Sequence, residues 1–266
     1  MKRMTRTIIV VMVILFRIIC STFSQEGADP GSKQSGFHIG MSYINLKEES
    51  LNKVIHKGPG FVGAIYLERS KNKSVTMLDM ELGSGFLKSG FESEASSYWF
   101  SGSASFRHLW KLSNLDSGFN FYLGGKVKAG TAIEYFDNWD ESHFYWITSY
   151  SIGADFRFDY SFGSNSKIRI EGDLPFLSMI SRPPAEFLYT QSSPALHDVL
   201  KDINQDLRFL SPLMYRDFNI QLKYSLRKPK KFVPAIFWRL NYLSIKKDGS
   251  AQLKYINQTF GLEFRF

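Results

Sequence analysis

The sequence predicts an all-β fold: a single antiparallel, up-and-down transmembrane β-barrel of about ten strands, with eight or twelve as the alternatives. Apolar and polar residues alternate with a period of two in segment after segment. Aromatic residues make up 16% of the 266 residues, with 24 Phe, 13 Tyr and 5 Trp. The connections between segments also alternate between short and long. A strand that crosses a bilayer needs an apolar face for lipid and a polar face for the barrel interior, and these observations match that requirement.

Composition excludes several other classes. Charged residues make up 22% of the chain, which is too few for an intrinsically disordered protein of this aromatic content. One cysteine cannot form a disulfide within the chain, so a disulfide scaffold is excluded. A mean hydropathy of −0.19, with only one long apolar run, excludes a membrane protein built from several helices.

Residues 1–24 have the organisation of a cleaved secretory signal peptide. A basic start precedes the apolar core Ile8–Phe16, which is too short to remain as a membrane anchor. Thr22 and Ser24 are small enough for signal peptidase, which predicts cleavage before Gln25. Cleavage removes four basic residues and no acidic one, so the formal charge falls from +8 to +4. The four basic residues are Lys2, Arg3, Arg6 and Arg17.

The only cysteine, Cys20, lies within this segment. A lipoprotein signal requires small residues before its cysteine, whereas Ile18 and Ile19 precede Cys20, so the sequence favours loss of Cys20 over lipidation. A chain without cysteine suits an oxidising compartment. Residues 25–35 show no apolar pattern and predict a flexible lead-in, so the predicted barrel spans 36–266. The mature chain has no basic stripe, so no nucleic-acid partner is expected.

The clearest strand is predicted at 146–160. Its even-numbered positions are aromatic or aliphatic, apart from Thr148, and its odd-numbered positions from Ser149 to Asp159 are small, polar or charged. This length is well beyond the usual five or six residues of a globular strand. The weakest alternation is in the second segment, which Gly60 and Ser70 bound. In chain order, the ten predicted strands are 37–43, 61–67, 76–82, 98–106, 119–127, 146–160, 168–174, 218–224, 236–242 and 259–266.

The connections provide an independent check on the strand count. Connections that follow even-numbered strands are short and contain mainly Gly, Asn, Ser, Pro and Lys, which predicts periplasmic turns. Connections that follow odd-numbered strands are mostly longer, which predicts outer loops. The short turns are 70–73, 111–118, 163–166 and 227–231; the outer loops are 47–59, 87–97, 134–142 and 178–211, together with the short loop 246–250.

The C-terminal residues Phe260, Leu262, Phe264 and Phe266 alternate with polar or small residues and end the chain on an aromatic ring. In this respect the chain resembles the bacterial outer-membrane β-barrel proteins. The resemblance implies that these four residues act as an assembly signal for the barrel-assembly machinery. It also implies export to the outer membrane of a Gram-negative bacterium, where outer-membrane lipid surrounds the barrel. A soluble β-sandwich also alternates, but it has shorter strands and fewer aromatic faces.

The polar phase of the strands predicts the side chains that fill the barrel interior. Both signs of charge occur there, and buried charges persist when they are paired. A barrel of ten strands filled by long paired side chains is expected to be largely plugged, and a narrow polar conduit is the alternative. The predicted lumen residues are Asp79, Glu81, Arg107, Lys126, Lys128, Asp155, Arg157, Asp159, Arg169, Glu171, Asp173, Lys223, Arg239, Glu263 and Arg265.

Few residues suggest catalysis. Asp140 and His143 share an acidic loop that would lie at the barrel rim, where a carboxylate and an imidazole can activate water. Ser193 and His197 share the longest loop, but sequence proximity alone does not place a nucleophile beside its base. Residues 195–207 have helical apolar spacing, which predicts a short helix over the mouth. No motif indicates a metal or a cofactor, and none is expected.

The sequence therefore favours a non-enzymatic outer-membrane barrel with a largely plugged, charged lumen. Its surface loops would serve binding or envelope support, with an unidentified surface ligand or partner protein. A narrow channel for small polar solutes is the first alternative. A rim or loop hydrolase acting on lipid or peptide is the second.

Overall fold

The computed structural model describes residues 32–48, 55–89, 96–115, 118–136, 143–162, 166–183, 189–190, 203–204, 207–226, 233–246 and 252–266. These residues form strands, turns and irregular segments, and they include no helix. The predicted signal peptide and most of the long loop, including most of the helix expected at 195–207, lie outside the described residues.

Ten long strands form the barrel wall, and two short strands lie in the longest connection. The long strands have 12 to 20 residues, which exceeds the length of about 9–11 residues that a tilted strand needs to cross a bilayer. They are β1 Ser32–Glu48, β2 Ile55–Lys71, β3 Ser74–Ser89, β4 Ser96–Leu115, β5 Phe119–Phe136, β6 His143–Phe162, β7 Ser166–Ser181, β10 Tyr215–Leu226, β11 Val233–Ile245 and β12 Leu253–Arg265; the short ones are β8 Tyr189–Thr190 and β9 Arg208–Leu210.

The sheet closes on itself. Each long strand pairs antiparallel with its neighbours in sequence, β7 pairs with β10, and β1 pairs with β12 over thirteen residue positions. The terminal residue is part of this closure: the Phe266 N–H donates to the Ser35 carbonyl at 2.9 Å. The prediction of an antiparallel up-and-down barrel with ten strands is therefore confirmed.

Both described chain ends lie at one end of the barrel, which we call the terminal end; the opposite end is the loop end. The turns at the terminal end are tight. The turn from β2 to β3 contains two residues, and Gly118 adopts a φ of +81° before β5, a conformation that glycine accepts without strain.

Three loop-end connections are shorter than the sequence predicts, because the strands extend further. β2 begins at Ile55, so the loop expected to reach residue 59 ends five residues earlier. Strand β5 likewise continues to Phe136, into the segment expected to be an outer loop. Only the connection between β7 and β10 is long.

Burial alternates along the strands as the period of two predicts. In β6, Ser151, Asp155 and Arg157 are buried, while Tyr150 and Ile152 are 40% and 44% exposed. The phase slips once in β7, where two residues oppose one on β6 between Ile152 and Gly153. The outer wall is apolar and exposed, and it includes Met41 and Phe61, each at 64%.

Candidate functional site

Ion pairs cross the barrel interior near the terminal end. The Glu68 carboxylate accepts hydrogen bonds from Arg157 Nη1 at 3.2 Å and from Arg169 Nη1 at 3.5 Å. Asp159 binds both of these guanidiniums, with Arg157 Nη2 at 2.9 Å and Arg169 Nε at 2.8 Å, and Lys167 Nζ at 2.8 Å. Because Glu68 is on β2 and its partners are on β6 and β7, these contacts span the lumen. We call these five residues the lower charge cluster.

A second group of ion pairs continues this cluster across the barrel. Glu171 of β7 accepts from Arg107 of β4 at 3.0 Å and lies 3.4 Å from Arg169 Nη1, which joins the two groups. On the side of the lumen formed by β10 and β12, Glu263 binds Lys223 at 2.7 Å and Arg265 at 2.6 Å. Lys223 Nζ is also 3.7 Å from Glu171, so the chain of charges is continuous.

Further pairs lie around the middle of the barrel. Lys126 donates to Asp173 at 2.9 Å, and Lys128 donates to Asp217 at 3.2 Å. Arg239 of β11 is paired with Glu81 of β3, which lies across the lumen. In a low-dielectric interior each charge needs such a partner, because an unpaired one is costly.

A polar cavity of about 140 Å³ lies in this middle region. Charged and amide side chains, including Lys128, Asp217 and Asn257, line one part of it. The indole of Trp99 and the ring of Tyr255 line another part, and these two rings stack with centroids 5.2 Å apart. The cavity therefore has both polar and aromatic walls.

An apolar cluster fills the lumen at the loop end. It includes Leu46, Leu87, Trp99 and Tyr145, none of which is more than 2% exposed. The remaining buried members are Ile44, Ile147, Ile180, Tyr215, Ile245 and Leu253. We call this set the loop-end apolar cluster. In the same half of the barrel, His56 Nδ1 lies 2.7 Å from the Glu134 carboxylate. This carboxylate also accepts a hydrogen bond from the Ser97 hydroxyl at 2.5 Å.

The structure brings the predicted lumen residues together in the charge network described above. Asp79 accepts a hydrogen bond from Ser105 at 2.5 Å, and Asp155 is 1% exposed and lies 3.7 Å from Arg107. The sequence analysis missed Glu68 and Asp217. The signal for Glu68 was present: it continues the phase of the inward residues Val62, Ala64 and Tyr66 in the weakly alternating strand β2.

The candidate catalytic residues are not brought together by the described structure. His143 begins β6 at the loop end, where its backbone pairs with Phe136 and Thr190. Asp140, Ser193 and His197 lie outside the described residues. Within the described ranges, no group of three or more His, Cys, Asp or Glu side chains is arranged to hold a metal ion. The same ranges contain no helix long and apolar enough to cross a membrane.

Comparison with known proteins supports the fold. No family model and no curated protein matches the chain. Among solved structures, the outer-membrane protease OmpT of Escherichia coli is similar with a TM-score of 0.53 at 10% identity, over 91% of this chain and 99% of that one. At this identity the likeness establishes the fold alone: the chain has the fold of bacterial outer-membrane β-barrels.

Weaker similarities are found to two further bacterial proteins. The transport unit of the autotransporter AIDA-I of Escherichia coli has a TM-score of 0.44 at 9% identity, over 91% of each chain. Ail of Yersinia pestis, described as an attachment invasion locus protein, has a TM-score of 0.37 at 12% identity, over 88% of this chain and 99% of that one.

Proposed function

We propose that this chain is an outer-membrane protein of a Gram-negative bacterium whose barrel is closed to solutes along its axis and whose role is carried by its surface loops. The observation that carries this proposal is that side chains occupy both halves of the lumen. Salt bridges from non-adjacent strands fill the half near the terminal end, and the loop-end apolar cluster fills the other. A solute would have to disrupt both.

The energetic cost of such a disruption supports the closed state. Separating Glu68 from Arg157 and Arg169 leaves the buried Glu68 carboxylate without a cationic partner, which costs about 3 kcal/mol. Hydrating the loop-end cluster would expose large side chains, at about 1.5–3 kcal/mol for each. Thermal fluctuation does not open two such barriers together.

The outer wall supports the membrane location. Aromatic and aliphatic side chains are exposed on every part of it, among them Phe106 at 50%, Val127 at 51% and Phe260 at 61%. Such a continuous apolar surface is unfavourable in water and favourable in lipid. The predicted signal peptide supplies the route of export.

The described side chains do not support a proteolytic role like that named for OmpT. The described carboxylate–histidine pair near the loop end, Glu134 with His56, is 0% and 4% exposed. His56 also packs edge-on against Phe136 at 5.5 Å. A peptide cannot reach either group without rearrangement of the barrel wall.

Single-channel recording in planar bilayers tests the proposal. The full-length protein is refolded in detergent, and its folded state is verified by the shift in gel mobility on heating. The folded protein is expected to give no conductance steps, and Trp99→Ala alone is also expected to stay silent, because the charged half remains closed. Steady ohmic steps from the verified wild-type barrel would refute the closed lumen and establish the narrow channel as the function.

A further inference from the structure

The barrel wall has an interruption between β7 and β10. The two strands pair from Ser166 to Asp173, and β7 then pairs with the short strand β9 from Ser178. Between these paired segments, residues 174–177 of β7 do not pair with residues 215–218 of β10. Four residues of strand span about 13 Å, so the unpaired edge is long compared with a single bulge.

Local sequence explains the interruption. Pro175 has no N–H to donate, and Phe176 is the extra residue that lies opposite the Ile152–Gly153 step of β6. On the other strand, Ser211–Met214 form a turn, in which Ser211 accepts the N–H groups of Met214 and Tyr215. The chain therefore leaves the wall at this point and re-enters it at Tyr215.

The outer rim of the interruption is strongly apolar. Leu174, Phe176 and Leu213 are 59%, 58% and 72% exposed. Phe209, on the short strand above, is 67% exposed. These side chains face the region that the proposed location assigns to lipid.

The polar cavity reaches the β10 side of the interruption. Asp217 belongs to the unpaired segment of β10 and lines the cavity, and Asn219 lines it just below. Lys126, another lining residue, holds Asp173 at the last ladder pair of β7. The wall is thus apolar on the outer side of this position and polar on the inner side.

Side chains that line the cavity carry buried polar atoms that have no hydrogen-bond partner among the described residues. They are Arg239 Nε and Nη2, Trp99 Nε1, and the Oδ1 atoms of Asn219 and Asn257. Arg239, Trp99 and Asn257 are 6%, 2% and 5% exposed, so solvent outside the barrel does not reach them freely. The donors suit an anionic oxygen, and the two carbonyl oxygens suit an ammonium or hydroxyl group.

We propose that the interruption between β7 and β10 is a lateral entrance through which the zwitterionic phosphate–amine headgroup of a membrane phospholipid enters the lumen cavity. Arg239 and Trp99 donate to the phosphate oxygens, and Asn219 and Asn257 accept from the amine. The acyl chains stay outside, against Leu174, Phe176 and Leu213. The cavity, with a volume of about 140 Å³, offers room for a small polar group. The proposal rests on the membrane location given above.

Cross-linking the entrance tests the route. In a Cys20→Ser background, Leu174→Cys and Phe218→Cys place thiols where β7 and β10 would pair if their register continued. The matched control is Ile170→Cys with Leu222→Cys, an existing ladder pair of the same strands. Each pair is closed by a disulfide or, across a wider gap, a short bis-thiosulfonate. Phosphatidylethanolamine is then added in detergent, and bound lipid is measured by native mass spectrometry.

We expect lipid to bind the cross-linked control pair but not the cross-linked entrance pair, and reduction to restore binding. Equal binding to both cross-linked proteins would overturn the lateral route. Soluble glycerophosphoethanolamine is the second arm: it should compete with the lipid in the reduced protein. If it binds the cross-linked entrance pair, the cavity is reached from an end of the barrel and the proposal fails.

Arg239→Gln tests the headgroup contact without a cross-link. Loss of one charge-assisted interaction is expected to weaken phosphatidylethanolamine binding about tenfold or more. The control is Lys254→Gln, an exposed residue on the neighbouring strand β12. Heat-shifted mobility shows that each variant is folded. Unchanged affinity in folded Arg239→Gln would overturn the assigned site, whereas a silent conductance record in the same protein would still uphold the closed axis.

Discussion

Glu68 and Asp159 allow the lower charge cluster to be tested by two near-isosteric substitutions. Glu68→Gln removes a carboxylate from two guanidiniums, each of which keeps Asp159 as a partner. Asp159→Asn removes the carboxylate that holds Arg157, Arg169 and Lys167 together at 2.8–2.9 Å. Breaking a buried pair costs about 3–5 kcal/mol, so we expect about 3 kcal/mol for Glu68→Gln and about 5 kcal/mol for Asp159→Asn.

The free energy of unfolding is measured by urea titration of the protein in lipid vesicles, where refolding can be made reversible. Lys254→Gln is the exposed control and should change it by less than about 0.5 kcal/mol. In the double variant, Arg157 loses both of its carboxylate partners, Glu68 and Asp159, so the combined loss should exceed the sum of the two single losses.

Two results would refute this reasoning. If both single variants stay within about 1 kcal/mol of the wild type, the cluster is hydrated and behaves like surface ion pairs. If Glu68→Gln costs more than Asp159→Asn, the contacts that define the centre of the cluster are assigned incorrectly.

Three further outcomes are expected. Trp99→Ala deletes the ring stacked on Tyr255 and should lower the free energy of unfolding by about 3–5 kcal/mol. It should also raise the rate at which a water-soluble thiol reagent modifies a cysteine placed in the cavity by Ser103→Cys. The control Trp110→Ala, on the outer face of the same strand, should leave that rate unchanged. Gly124→Ala should destabilise the barrel by about 1–3 kcal/mol because a Cβ would lie 2.0 Å from the His108 carbonyl oxygen, while Gly63→Ala, with nothing within 4 Å, should stay within about 0.5 kcal/mol. Phe266→Ala should reduce the heat-modifiable fraction formed by the barrel-assembly machinery more than it reduces unassisted refolding into detergent; an equal loss in both assays would remove the assembly signal from this residue.

The period of two predicted the wall well, because one face of each strand must meet lipid. It could not predict what fills the two ends of the lumen, because inward positions accept any side chain that finds a partner. Ile44 and Leu46 continue the inward phase of β1, yet only the closed barrel shows that they meet Leu253 and Tyr145 in one apolar cluster.

The sequence also could not predict which side chains pair across the lumen. Glu68 and Arg169 are 101 positions apart, and no local pattern connects them. The interruption beside Pro175 had a local signal in the proline itself, since proline is rare inside a paired strand. Its consequence depended on the neighbouring strand, because the turn at Ser211–Met214 removes the partner that would otherwise bridge it.

The pairing of β1 with β12 makes the hydrogen-bonded wall circular although the chain is linear. The backbones of Ser35 and Phe266 are hydrogen-bonded to each other like two paired residues of a β-hairpin, but no turn connects them. Position along the polypeptide and position in the wall are therefore separable properties. A chain in which a short linker joins Phe266 to Ser32, and which is cut at the turn between β2 and β3, would keep every ladder pair while giving a different strand the role of the last one. Such a permuted chain would distinguish whether cellular insertion recognises the residues Phe260–Phe266 themselves or the free end of whichever strand is synthesised last.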